Sequence, residues 1–226
     1  MRAEGELRNI DSFVMEGGAL GVFGGGFKLD IQTQSPSATS VDSGINTLLR
    51  PYGVVMGEGI VLDRQCLVVP MRDPRGGIRR AAQPPIIIVG FDEGQREHPV
   101  SFRLDDTWTP FTSPLELTDN ADNVTIIARS SEESWVETGD TINLGGGWQP
   151  RSEGPFPLIA AIEGTLPSAF EEGQSSTAEA RVLVAGSSFM IRDEILGQLA
   201  RDGQCPMVGS VAVALNALSG FRKTRT

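Results

Sequence analysis

Histidine occurs once in these 226 residues, at His98. A lone histidine rules out a multi-histidine metal site and leaves any Ser-His-Asp arrangement one possible base. Cysteine occurs twice, as Cys66 and Cys205, far apart and without CxxC spacing. They show no metal-ligand spacing and read as free buried thiols, with a disulfide open in an oxidising compartment. Basic residues are also scarce: 19 Lys and Arg stand against 29 Asp and Glu, a net charge of −10. That balance argues against the clustered cationic surface that nucleic-acid binding needs. No stretch approaches the roughly 20 apolar residues of a membrane helix. Met1–Leu7 is polar where a signal peptide would be apolar. Neither a Walker A motif nor G-x-G-x-x-G between a strand and a helix is present, so no nucleotide cofactor is expected. Acidic pairs such as Asp105-Asp106 and Glu132-Glu133 lack the D-x-D-x-D-G spacing of a calcium loop; they read as a solvated face, and no metal is expected.

Glycine (27) and proline (14) are plentiful, which implies many turns between short elements. Leu7, Ile10, Phe13 and Val14 fall at helical spacing and Gly17-Gly18 stops them, which predicts a helix over 6–16. Ala19–Phe23 reads as a strand, 28–40 as a polar loop, and 41–52 as a helix through Ile45, Leu48 and Leu49. The middle of the chain carries short β-rich runs at 66–70, 85–89, 100–104, 115–117 and 124–128. Between the first two, 73–83 with Arg75, Arg79 and Arg80 reads as a solvated loop. The acidic, serine-rich 170–179 reads as a flexible tip or linker.

The C-terminal block is the most informative. Val182-Leu183-Val184-Ala185 reads as a buried strand, and Gly186-Ser187-Ser188 follows at its carboxyl end, where open α/β sheets place a ligand crevice. Val208, Val211, Leu215 and Leu218 then share one helical face. Gly186-Ser187-Ser188-Phe189-Met190 approaches a nucleophile elbow, but Met190 stands where G-x-S-x-G needs its last glycine. A hydrolase using Ser187, Ser188 or Cys205 with His98 is thus an alternative, and no catalytic residue is assigned. Trp135, after Ser130-Ser131-Glu132-Glu133-Ser134, reads either as core packing or as a surface aromatic. Trp108 and Trp148 extend the second possibility to a carbohydrate-binding surface, provided a tryptophan is exposed.

Four segments in order resemble the extracytoplasmic region of the GldG-type auxiliary proteins of ABC transport systems, known from gliding motility. Ile10-Asp11-Ser12-Phe13-Val14-Met15-Glu16-Gly17-Gly18-Ala19-Leu20 is similar to the family's helix, glycine pair and strand. Ile45–Val54, with Val61-Leu62-Asp63, is similar to its next helix and turn. Ala128–Trp135 resembles its S-S-x-x-S-W segment, and Arg181–Ile191 with Asn216-Ala217-Leu218 its closing strand and helix. The resemblance implies an α/β fold of the intraflagellar-transport-like, glutamine-amidotransferase-like kind: a Rossmann-like three-layer sandwich. Its core would come from 5–63 and 155–221 of a single domain spanning 1–226, with a β-rich insertion at about 64–154.

The implied role is a non-enzymatic, periplasmic binding or scaffold domain. Its partners would be the permease and ATPase subunits of the transporter or envelope components. Ser130, Ser131, Trp135, Ser187 and Ser188 are the candidate partner surface. In that family the first elements precede Ile10, and Asp-Trp-Leu stands where this chain has Ser219-Gly220-Phe221. The ends therefore read as those of an excised or shortened piece, reaching the membrane through segments outside this chain.

Overall fold

Every residue from Val182 to Ala185 is buried and apolar, and a strand apolar on both sides needs cover on both faces. The structure, a computed structural model, provides that cover; it describes residues 2–31, 35–72, 76–192 and 208–220. In chain order the elements are α1 (Arg2–Met15), β1 (Ala19–Phe23), β2 (Phe27–Asp30), β3 (Ser37–Ser40), α2 (Asn46–Leu49), β4 (Val54–Met56), β5 (Ile60–Asp63), β6 (Cys66–Arg72) and β7 (Ile78–Gly90). They continue with β8 (Asp106–Pro110), β9 (Leu115–Leu117), β10 (Val124–Arg129), β11 (Ser134–Glu137), β12 (Thr141–Asn143), β13 (Pro157–Gly164), β14 (Ala180–Ala185) and α3 (Val208–Gly220). The result is a mixed α/β fold, rich in strands and built on several sheets.

The central sheet runs β1-β14-β13-β10. β1 and β14 are parallel, from Ala19 opposite Arg181 to Phe23 opposite Ala185; β13 is antiparallel to both of its neighbours. Two ends of the chain thus meet in one parallel pair. Side chains on β14 alternate between two cores, as period 2 requires. Val182 and Val184 join Val14 of α1, Leu48 and Leu49 of α2, and Tyr52 on one face. Leu183 and Ala185 join Val213 and Ala217 of α3, with Ile87 and Val89 of β7, on the other. A third core gathers Ile60, Leu62, Trp135 and Ile142 between smaller sheets. The stretch 64–154, expected as an insertion, supplies the central sheet's edge strand β10, and its β11 pairs with β5. It is woven into the core.

α1 ends where Gly17 takes a φ of 83°, the left-handed position that glycine fills at no steric cost. Its inward face is Leu7, Ile10, Asp11 and Val14, while Phe13 is exposed. The buried Asp11 carboxylate accepts from the Tyr52 hydroxyl (2.6 Å), the Ser168 hydroxyl (2.7 Å) and the Ala169 amide (2.9 Å). One carboxylate therefore ties three chain segments together. Burial, with Asp11 alongside, pushes the Tyr52 phenol well above its usual range, so it stays a neutral donor.

Several expected elements differ. The polar 28–40 stretch contains the antiparallel pair β2 and β3, with Leu29 opposite Ala38; polar strands are invisible to a pattern that needs alternating apolar residues. The helix expected over 41–52 is only α2 plus a 3₁₀ turn at Arg50–Tyr52. Residues 78–83 are strand, because β7 runs from Ile78 to Gly90 against β6. Residues 100–104 form turns, not a strand. The 170–179 segment is held by Ser168 and by an isolated bridge between Pro167 and Ser175, and Arg8 lies over the Phe170 ring at 4.7 Å. In α3 the inward face is small: Gly209, Ser210, Val213 and Ala217 are buried and Leu215 is exposed. A Cβ on Gly209 would collide with the Asp106 carbonyl oxygen. Ser210 Oγ accepts from the Trp108 amide (3.2 Å) and donates to its carbonyl (2.8 Å). Close approach to β8, and not the larger apolar stripe, sets the helix face.

Candidate functional site

The carboxyl ends of the parallel pair β1 and β14 are where an α/β sheet offers a crevice. Here Gly24-Gly25-Gly26 leaves β1 and Gly186-Ser187-Ser188 leaves β14. The space between them is filled by the chain's own segment from Pro110 to Ser113. Ser113 donates its amide to the Gly186 carbonyl at 2.8 Å. Its hydroxyl accepts from the Gly26 amide and donates to the Gly59 carbonyl, both at 3.0 Å. Thr112 and Ser113 are fully buried. The Ser187 hydroxyl, also fully buried, donates to the Pro110 carbonyl and accepts from the Phe189 amide at 3.2 Å. A hydroxyl that caps a 3₁₀ turn inside the core is a structural group; a nucleophile needs access to a base and a substrate.

Two recesses flank this closed crevice. One, of about 580 Å³, is lined among others by Gly26, Asp42, Asn46, Arg50 and Glu58. Asn46 fixes its wall by exchanging two hydrogen bonds with the Met56 backbone, at 2.9 and 2.8 Å. The other, of about 410 Å³, contains Lys28, Phe111, Ser188, Phe189 and Arg192. Ser188 is half-buried there, and the Arg192 guanidinium lies 4.3 Å from the Phe189 ring centroid.

The serine-rich turn before Trp135 is a second knot. Fully buried Asp63, at the end of β5, accepts from the Gln65 amide (2.8 Å), the Ser131 amide (2.7 Å) and the Ser131 hydroxyl (2.6 Å). Ser130 and Ser134 share a hydroxyl contact of 2.7 Å, and Ser130 accepts from the Phe156 amide at 2.8 Å. Trp135 is fully buried in the third core and donates to Glu137 at 2.9 Å. The expected partner surface is corrected accordingly. Ser130, Trp135 and Ser187 face inward, because each satisfies buried backbone or fills a core; Ser131 and Ser188 remain half-buried. The Asp63 hub was not identified from the sequence; an acidic residue ending an apolar strand was its only signal.

His98 lies elsewhere. Its Nδ1 accepts from the Val100 amide at 3.2 Å, and it lines a recess of about 620 Å³ beside the edge strand, with Thr125, Ile126 and Ile127. No hydrogen bond joins it to Ser187 or Ser188, whose environments lie at the end of β14; Cys205 falls outside the described residues. Burial holds the His98 imidazole below its ordinary pKa, with Glu163 pulling weakly the other way. A base depressed in the folded state contributes stability above pH about 6.5 that is lost as pH falls through the lower folded value. His98→Gln is therefore expected to flatten the fall in melting temperature between pH 7 and pH 5; an unchanged slope would show that His98 ionises alike in both states. Burial likewise raises the Cys66 thiol, which disfavours the reactive thiolate. Among the described residues no three His, Cys, Asp or Glu side chains come together to hold a metal. Of the tryptophans, Trp108 is buried and Trp148 half-buried; the latter lines a recess of about 420 Å³ with Asn143, Gln149 and Arg151.

The fold is that of a known class: the structure described as the mmIFT52 N-terminal domain superposes with a TM-score of 0.52 at 13% identity, over 98% of this chain and 72% of that one. No curated protein matches the chain. The chain belongs to the family described as "ABC-type uncharacterized transport system", whose model matches residues 3–215. It is thus an auxiliary component of an ABC-type transport system, in a membrane-associated family. Among the described residues no helix is long and apolar enough to cross a membrane.

Proposed function

We propose that this chain is a non-catalytic binding and scaffold domain of the GldG type, held at the periplasmic face of the inner membrane. Its partners on this reading are the transporter's permease and ATPase subunits or envelope components. The observation that carries the reading is the closed crevice: the position where a related sheet would hold a ligand is filled by Thr112 and Ser113, and the Ser187 hydroxyl is spent on Pro110. The Rossmann-like, glutamine-amidotransferase-like three-layer sandwich belongs to the same proposal. α1 and α2 cover one face of the central sheet and α3 the other, which supports it.

A tagged chain used as bait in detergent-solubilised envelopes should recover an ABC permease or ATPase, identified by mass spectrometry. The same preparation should turn over neither ester nor amide substrates. Turnover abolished by Ser188→Ala, with no transporter subunit recovered, would overturn the proposal.

A further inference from the structure

Beyond the core, β6 and β7 continue as a two-stranded arm. Directly opposed residues in an antiparallel pair share a face. Val68 with Ala82, Pro70 with Arg80 and Arg72 with Ile78 therefore lie on one face; Leu67 with Gln83, Val69 with Ala81 and Met71 with Arg79 lie on the other. Toward its end the arm is solvated on both faces. Arg72, Arg79 and Arg80 are exposed, Ile78 is 78% exposed, and Val68 and Met71 are 48% and 41% exposed. None of these three arginines has an ion-pair partner among the described residues. In a chain of net charge −10, residues 65–90 carry four arginines against one acid.

We propose that the end of this arm binds an anionic phospholipid surface, with Arg72, Arg79 and Arg80 on headgroup phosphates and Met71 and Ile78 entering the boundary between headgroups and acyl chains. Guanidinium matches phosphate geometry and is weakly hydrated. Large apolar side chains interleaved with cations are the composition of interfacial elements. The two-sided distribution favours lipid over a folded acidic partner. A protein surface reads one face of a strand pair, whereas the headgroup layer surrounds an inserted tip, and here each face carries both an arginine and a large apolar residue. The remaining acidic surface is repelled by anionic lipid, so the arm alone leads the approach. Its unpaired strand edges stay in the hydrated layer, where water satisfies them. This proposal does not depend on which transporter subunit the chain meets.

The test is flotation of the purified 226-residue chain with vesicles of phosphatidylcholine alone, or with about one-third phosphatidylglycerol. Binding is expected only to the anionic vesicles and should weaken with salt. At roughly fivefold per arginine near such a surface, Arg72→Glu/Arg79→Glu/Arg80→Glu should lose about a hundredfold or more in partitioning. Met71→Ser/Ile78→Ser should lose roughly tenfold, and Arg129→Glu, outside the arm, should lose little. All substituted positions are exposed, so circular dichroism and urea midpoints should match the parent chain. Equal binding to both vesicle types, no binding to anionic vesicles, or indifference to the triple reversal would each overturn the proposal. Tight binding to polyglutamate that ignores Met71→Ser/Ile78→Ser would overturn it in favour of an acidic protein partner.

Discussion

Gly186→Val is expected to destabilise the fold by about 4 kcal/mol or more, enough to unfold much of the protein. A Cβ on Gly186 would overlap the Ser113 carbonyl oxygen and lie 2.7 Å from Thr112 Oγ1. Neither side can yield cheaply. The Gly186 amide donates to Leu158 at 3.0 Å, and its carbonyl accepts from Ser113 at 2.8 Å, so moving either strand end breaks ladder bonds in the core. A large side chain here must push the closing segment out of the crevice or detach β14 from β13. Urea titration followed by circular dichroism measures the loss. Gly5→Ala is the matched control: nothing lies within 4 Å of its Cβ, and alanine in a helix should add about 0.5 to 1 kcal/mol. A Gly186→Val midpoint equal to that of the parent chain would mean that the crevice is open, and the non-catalytic reading would lose its main support.

The second large effect is expected at Asp63. Asp63→Ala removes a fully buried acceptor that takes three hydrogen bonds, one from the exposed Gln65 and two from the half-buried Ser131. Hydrogen bonds to a charged group contribute about 1.5–3 kcal/mol each, and water offsets part of the loss at the exposed Gln65 amide. A loss of about 3–5 kcal/mol follows from the three bonds together. Ser131→Ala, which removes one of the three bonds, should cost only about 1–2 kcal/mol. Asp63→Asn should fall between, because its amide nitrogen must face a donor. Trp135 reports directly: it pairs with Leu62, next to Asp63, and is fully buried. Asp63→Ala should therefore bring its red-shifted emission at lower urea than in the parent chain. Equal costs for Asp63→Ala and Ser131→Ala would show that the carboxylate is not the hub of the turn.

Legibility in the sequence followed apolar pattern. β1 and β14 were readable because they are short apolar runs bounded by glycine or polar residues, and α1 because its inward residues recur at helical spacing until Gly17. β2, β3 and the outer half of β7 were not, since their residues are polar or exposed and their strand state comes from cross-strand pairing alone. The face of α3 was misread for a related reason. A hydropathy pattern favours Leu215, whereas contact with β8 selects Gly209 and Ser210, whose value is their small size. The candidate surface failed at Ser130, Trp135 and Ser187 because small polar residues and a large aromatic look alike in sequence whether they face solvent or close a buried turn.

Sequence by itself determined that the chain carries no multi-histidine metal set, no phosphate-binding loop and no elbow glycine after Ser188, since each of these requires particular residues at particular spacings. It also carried enough ordered motif to place the chain among ABC transport auxiliaries, in agreement with the family match. Only the tertiary structure decided that the carboxyl-end crevice is closed, that Asp11 and Asp63 are hubs, and that an arginine-bearing arm stands clear of an acidic body. Those facts depend on which segments distant in the chain come to lie together: Ser113 on Gly186, Ser131 on Asp63, Ile78 opposite Arg72. Local residue pattern carries no record of such meetings, because they are selected by packing and hydrogen-bond satisfaction over the whole fold.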